Sequence, residues 1–259
     1  MTRIAIGIEY DGSRYCGWQM QANGPSIQAA VETAVGQVAA HAVLITGAGR
    51  TDAGVHALGQ VAHFDSEALR DPRNWLLGIN SNLPADIAVV WVRETDESFN
   101  ARFSARARTY RYGILNRAVR PALHATRLSW FRRPLDAARM HAAAQALVGE
   151  HDFSAYRAQA CQARHPVREI ESIAVTRAGD EVWIEVTANA FLHHMVRNIV
   201  GVLMAIGSGE RPASWAGEVL ATRRRALGGV TAPPQGLYLV AVRYPQRFGL
   251  PDFATGGET

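Results

Sequence analysis

One succession of strand and helix patterns recurs in the two halves of this 259-residue chain, and it restricts the fold more than any single motif. Ile4-Ala5-Ile6-Gly7-Ile8-Glu9-Tyr10 reads as a strand. Ser26 through Ala40 reads as a helix, with Ser26 as N-cap and Ile27, Ala30, Val31, Ala34 and Val38 near helical spacing. A second strand is expected over Ala42–Thr46, a third over Val55–Phe64, a short helix over Asn74–Asn80 and a fourth strand over Asp86–Val92. That is the β-α-β-β-α-β order of a ferredoxin-like or split βαβ unit. The second half gives a strand at Tyr110–Leu115 and a helix over Asp136–Val148 that ends at Gly149. A hairpin follows, Glu169–Arg177 with Val182–Ala188, then an apolar helix over Met195–Ile206 and a closing strand over Leu237–Val242. No exact internal repeat occurs, so the duplication rests on element order alone. The expected division is 1–104, 105–250 and a tail at 251–259, with Arg102–Arg120 as the linker region and poor order after Pro245.

Composition narrows the chemistry. A 48% hydrophobic fraction is enough for a core, and 19% charge argues against disorder. No apolar run approaches the roughly 20 residues needed to span a bilayer. The N-terminus runs straight into a strand pattern without the features of an export signal, so Cys16 and Cys161 are expected as reduced thiols in a cytoplasm. All 27 basic residues are arginine. A chain without lysine has no amine for Schiff-base or pyridoxal phosphate chemistry, and no Walker lysine. Arginine suits phosphate, because its planar fork donates two parallel hydrogen bonds and stays charged.

Three segments carry candidate chemistry. The first is Gly47-Ala48-Gly49-Arg50-Thr51-Asp52-Ala53-Gly54-Val55-His56-Ala57. Its glycines allow a close backbone approach, and Asp52 can serve there as nucleophile or general base. A turn in which the aspartate bonds its own backbone fits the same spacing. In the second, six arginines (102, 106, 108, 111, 117 and 120) fall among 19 residues without an acid, interleaved with Phe103, Tyr110 and Tyr112. Such a pattern attracts phosphates and stacks bases, or is a solvated basic surface over two core tyrosines. Arg223-Arg224-Arg225 reads as a helix end. The third segment, Ala190–Gly201, opens a core helix with Arg197 in its first turn. A buried arginine needs a carboxylate partner, and Asp52 is the candidate. Nine histidines invite a metal, but there is no HExxH and no CxxC, so none is expected.

These segments together resemble the tRNA pseudouridine synthase A family over nearly the whole chain. The resemblance runs through Tyr10-Asp11-Gly12, Gly17-Trp18-Gln19, Gly49–His56, Gly59-Gln60-Val61, Asn80, Leu83-Pro84, Ala101-Arg102-Phe103, Tyr110-Arg111-Tyr112, His193–Gly201 and Gly236-Leu237-Tyr238-Leu239. It implies an α+β fold of two ferredoxin-like, RRM-like halves sharing a central antiparallel sheet flanked by helices. It also implies a cofactor-free homodimeric isomerase that acts on tRNA, modifying uridines 38, 39 and 40 of the anticodon stem-loop. By the same resemblance Asp52 is the catalytic carboxylate, Arg197 its partner, Tyr110 the ring against the target base, Arg50 the residue that helps expose that base, and Leu237 an apolar neighbour.

Two other readings stand beside it. A non-catalytic RNA-binding module would use the aromatic and arginine strand but leaves the Asp52 loop unexplained. An aspartyl-phosphate phosphatase is suggested by Glu9-Tyr10-Asp11-Gly12-Ser13, but Glu9 stands where the nucleophilic aspartate belongs.

Overall fold

The computed structural model describes residues 1–251 except Asn23, Ala160 and Gln162, so the expected tail lies almost wholly outside the described residues. The fold is α+β, and the chain forms two compact units. One is Met1–Arg108 together with the chain from Tyr238 onward; the other is Thr109–Leu237. The expected division at 104/105 differs in assigning the last strand to the second half.

In the first unit the elements are β1 (Thr2–Tyr10), α1 (Ile27–Ala39), β2 (Thr46–Gly47), β3 (His56–Ser66), α2 (Pro72–Asn82) and β4 (Ile87–Thr95). β1 lies between β3 and β4, antiparallel to both, and β2 pairs antiparallel with β3. The order β4-β1-β3-β2 is the ferredoxin-like arrangement. Ser26 caps α1 by accepting from Ala29 N–H at 3.3 Å, and Asp71 caps α2 through Arg73 N–H at 2.8 Å. Trp75 of α2 is buried edge-on against Phe64 of β3, with ring centroids 5.3 Å apart.

The expected strand at Ala42–Thr46 is a correction: only Thr46 and Gly47 join a ladder. Val43 and Ile45 are buried and Leu44 is exposed, so the alternation that suggested a strand is real. The main-chain partners come from a helix instead. Ile45 N–H donates to Glu32 Oε1 at 2.9 Å, and Gln28 Nε2 donates to Ile45 O at 3.2 Å. With β2 cut to two residues, much of the β3 edge is open to other segments. The last strand, β10 (Leu237–Arg243), takes the far end in parallel, pairing Tyr238 with His56 and Leu239 with Ala57. Asp52 lies in the loop between β2 and β3.

The second unit contains β5 (Ala107–Asn116), β6 (Ser129–Phe131), α3 (Ala137–Ala144), β7 (Gly149–Asp152), β8 (Val167–Ala178), β9 (Glu181–Ala188), α4 (Met195–Gly207) and α5 (Trp215–Thr222). Its sheet runs β5-β9-β8-β7, with β6 parallel to β5. The long β8–β9 hairpin is the one expected. β5 lies inside the stretch expected as a linker. α3 ends at Ala144 and a 3-10 turn covers 145–147, so the helix expected to Val148 is shorter. β6, β7 and α5 were not anticipated. The chain after Pro245 was expected to be poorly ordered, but it makes a 3-10 turn that seats the buried Phe248 on Phe99, with centroids 5.1 Å apart. Among the described residues no helix is long and apolar enough to cross a membrane.

Candidate active site

The Asp52 loop is fixed by its backbone. Ala48 N–H still follows the β3 edge, donating to Val61 O at 2.7 Å. The buried Gln60 amide then grips Gly49: Nε2 donates to Gly49 O at 2.7 Å and Oε1 accepts from Gly49 N–H at 3.4 Å. From the start of β5, Arg108 donates to Ala48 O through Nη2 at 2.9 Å and Nε at 3.3 Å. Trp18 N–H donates to Thr51 O at 3.0 Å, and the Tyr10 hydroxyl bonds Thr51 Oγ1 at 2.8 Å in a buried contact.

Asp52 opens a tight turn closed by Val55 N–H donating to Asp52 O at 3.1 Å. Gly54 holds the third position at φ +76°, where a type II turn needs glycine. Gly17, at φ +95°, is just as constrained: a Cβ there would stand 2.5 Å from Thr51 O. Past the turn, buried His56 accepts from Gly12 N–H on Nδ1 at 3.1 Å and stacks on Tyr238, with centroids 4.7 Å apart. The outcome is a rigid backbone that leaves Arg50 exposed and Asp52 half-buried. A carboxylate held this way needs little reorganisation to meet a reacting group.

The second unit places the other three predicted residues. Along β5, Tyr110 and Tyr112 are buried and Arg111 faces the other way, over Trp183 at 4.3 Å. The Tyr110 ring meets Phe191 edge-on at 5.0 Å. The Tyr112 hydroxyl bonds Ser129 Oγ at 2.5 Å and donates to Pro233 O at 2.9 Å. Burial raises its pKa well above the ordinary phenol value, so Tyr112 stays neutral.

Arg197 and Ala232 clasp each other: Arg197 Nε donates to Ala232 O at 2.8 Å, and Ala232 N–H donates to Arg197 O at 3.0 Å. The adjoining Asn198 is a buried hub. Its Nδ2 donates to Tyr156 O at 2.7 Å, and its Oδ1 accepts from Thr231 Oγ1 at 2.7 Å and Arg225 Nη2 at 3.0 Å. His194, just before α4, adopts φ +59°, a left-handed conformation that costs a non-glycine residue energy. Leu237 is buried at the start of β10.

A family profile described as tRNA pseudouridine synthase matches residues 6–104 and 143–245. The chain is 58% identical over 248 residues to the tRNA pseudouridine synthase A of Methylococcus capsulatus, covering 96% of this chain and 92% of that one. The protein of that name from Nitrosococcus oceani is 56% identical over 249 residues, covering 96% of each chain. One from Coxiella burnetii is 55% identical over 256 residues, covering 99% of this chain and 98% of the relative.

The chain belongs to the tRNA pseudouridine synthase family. Its members are isomerases, which sets aside the phosphatase reading. Asp11 serves its own turn, accepting from Ser13 N–H at 3.0 Å. Asp52, Arg50, Arg197 and Leu237 fall inside the matched stretches, and Tyr110 falls between them.

Two arginines of the basic stretch have partners within the protein. Arg108 braces the Asp52 loop, and Arg111 lies on Trp183. The supports Tyr10, Trp18 and Gln60 were not singled out for a role. They do lie in short motifs that the pseudouridine synthase resemblance runs through, and the loop's hydrogen bonds now supply the reason.

Proposed function

We propose that this protein isomerises uridine to pseudouridine at positions 38, 39 and 40 of the tRNA anticodon stem-loop, with Asp52 as catalytic nucleophile. Membership of the family supports the reaction. The observation that carries the role of Asp52 is its place at the head of a turn whose flanking residues are fixed by Trp18, Tyr10, Gln60 and Arg108.

The reaction breaks the N1–C1′ bond, turns the uracil and joins C5 to C1′. The C5 proton leaves and N1 gains one, so atoms balance without oxidant, reductant or imported group. We therefore expect no cofactor and no metal. Addition to ribose, addition to the base and elimination all start from an ionised carboxylate at the glycosidic bond. In this reading Arg197 is the cation that answers Asp52, and Tyr110 and Leu237 give the detached uracil a flat face and an apolar wall. Arg50 helps to draw the base from its stack, a step that costs a few kcal/mol. The enzyme is expected to act as a homodimer in the cytoplasm.

Tritium release from tRNA labelled at C5 of uridine tests this directly. Asp52→Asn keeps the shape of the turn and should lower release by about 10^4-fold or more, the scale of losing a nucleophile. Its tRNA affinity should stay within a few-fold, because phosphate contacts supply most of the binding. Undiminished release from Asp52→Asn would overturn the assignment. Absence of release from the unaltered protein would favour a non-catalytic RNA binder.

A further inference from the structure

Phe103 is an aromatic side chain left in water. It is 79% exposed, and the Arg102 guanidinium sits 5.4 Å from its ring centroid. Among the described residues the exposed large apolar side chains are otherwise aliphatic, except Trp130, whose Nε1 donates to Arg117 O at 2.9 Å.

The turn beneath Phe103 is firmly built. Asn100 Oδ1 accepts from the backbone N–H groups of Arg102 and Phe103, both at 3.0 Å, and Ser104 N–H donates to Asn100 O at 2.8 Å. Its base is buried through Phe99 and Ala101; His63 Nδ1 accepts from Ala101 N–H at 3.1 Å, and Tyr244 donates to Ala101 O at 2.6 Å. The turn also adjoins the Asp52 loop, because one Arg108 nitrogen, Nη2, donates to both Arg102 O and Ala48 O at 2.9 Å.

We infer that the Asn100–Ser104 turn is a second RNA-contact site, where Phe103 stacks an unpaired base of the tRNA substrate and Arg102 meets a neighbouring phosphate. This rests on the tRNA reading above. An exposed ring is a sequence-tolerant platform for a base, and a guanidinium at the same ring adds attraction for the backbone. The stretch from Arg102 to Arg120 carries no acid, so charge favours a polyanion over an acidic or neutral protein surface. A preordered turn presents the ring without an ordering cost at binding.

The test measures tRNA binding in the Asp52→Asn protein, so that it does not depend on turnover. Adding Phe103→Ala should weaken binding by about 10-fold or more, as for the loss of one stacked base, and should leave the salt dependence unchanged. Phe103→Trp should restore affinity. Arg102→Ala should lower the salt slope by about one phosphate contact. With Asp52 intact, Phe103→Ala should raise KM and keep kcat within a few-fold. Equal binding by the Phe103→Ala protein would overturn the inference while leaving the catalytic assignment intact. Conversion of a dimer to monomers by Phe103→Ala, with unchanged binding per subunit, would also overturn it by making the ring a contact between copies of this chain.

Discussion

The two units follow one plan and differ at one edge. In the second, the strand that enters the hairpin is full length: β8 runs over 12 residues and pairs along β9. In the first, its counterpart β2 is two residues long, and the chain beyond it becomes the Asp52 loop. The unit that kept its strand is braced mainly by main-chain ladders. The unit that gave one up replaces those ladders with side chains: Glu32 and Gln28 before β2, then Gln60, Arg108 and Tyr10 after it. An acid placed in a regular strand would point along a fixed row of the sheet. Withdrawing the strand lets it head a turn, while the replaced hydrogen bonds keep that turn still.

The strongest way to break this comparison is Gly17→Ala. The added methyl meets Thr51 O at 2.5 Å in a conformation L-residues avoid, so the loop must shift. Tritium release should fall by about 100-fold, the scale of a displacement near 1 Å. An unchanged rate would mean that this backbone contact does not hold Asp52 in place.

A second difference concerns pH. In each unit a histidine accepts from a backbone N–H, His63 from Ala101 and His141 from Val175, but His63 is buried and His141 exposed. Burial chiefly, and then the Arg3 charge, hold the His63 pKa below its ordinary 6.5. The unfolded chain therefore takes up the proton first. Stability is complete above about pH 6.5 and declines as pH falls through the lower folded value. Urea midpoints measured from pH 7.5 to 5 should show this decline, and His63→Asn should flatten it.

The smallest effect belongs to the regular hairpin. Gly179 has φ +58° with nothing within 4 Å of an added Cβ. Gly179→Ala should cost about 1 kcal/mol of backbone strain, read as a small drop in melting temperature, with tritium release unchanged.

Much of this was legible in the sequence because it is local. Ser26 before Ile27 and the turn at Gly179 announce their elements through a cap and a turn, whereas the helix expected from Asn74 starts at Pro72, capped by Asp71. β7 was not legible, since Gly149-Glu150-His151-Asp152 has no apolar alternation and is a strand only because β8 lies beside it. α5 carries a glycine within its eight residues and buries only Ala216 and Val219. At the site, the spacing of Arg50, Asp52 and Gly54 disclosed the loop. The supports did not show, because Gln60 and Arg108 act on backbone atoms 11 and 60 residues away, and no local pattern encodes such a bond.

His56 and Ala57, just past the Asp52 turn, take their parallel neighbours from Tyr238 and Leu239, near the other end of the chain. A ribosome makes proteins from the N-terminus, and early domains fold while later ones are still being built. Here the first unit lacks its β10 strand while it is being made. Its frame waits for the last strand, by which point the whole second unit has been translated. The strand beside the Asp52 loop is thereby made only after the whole second unit.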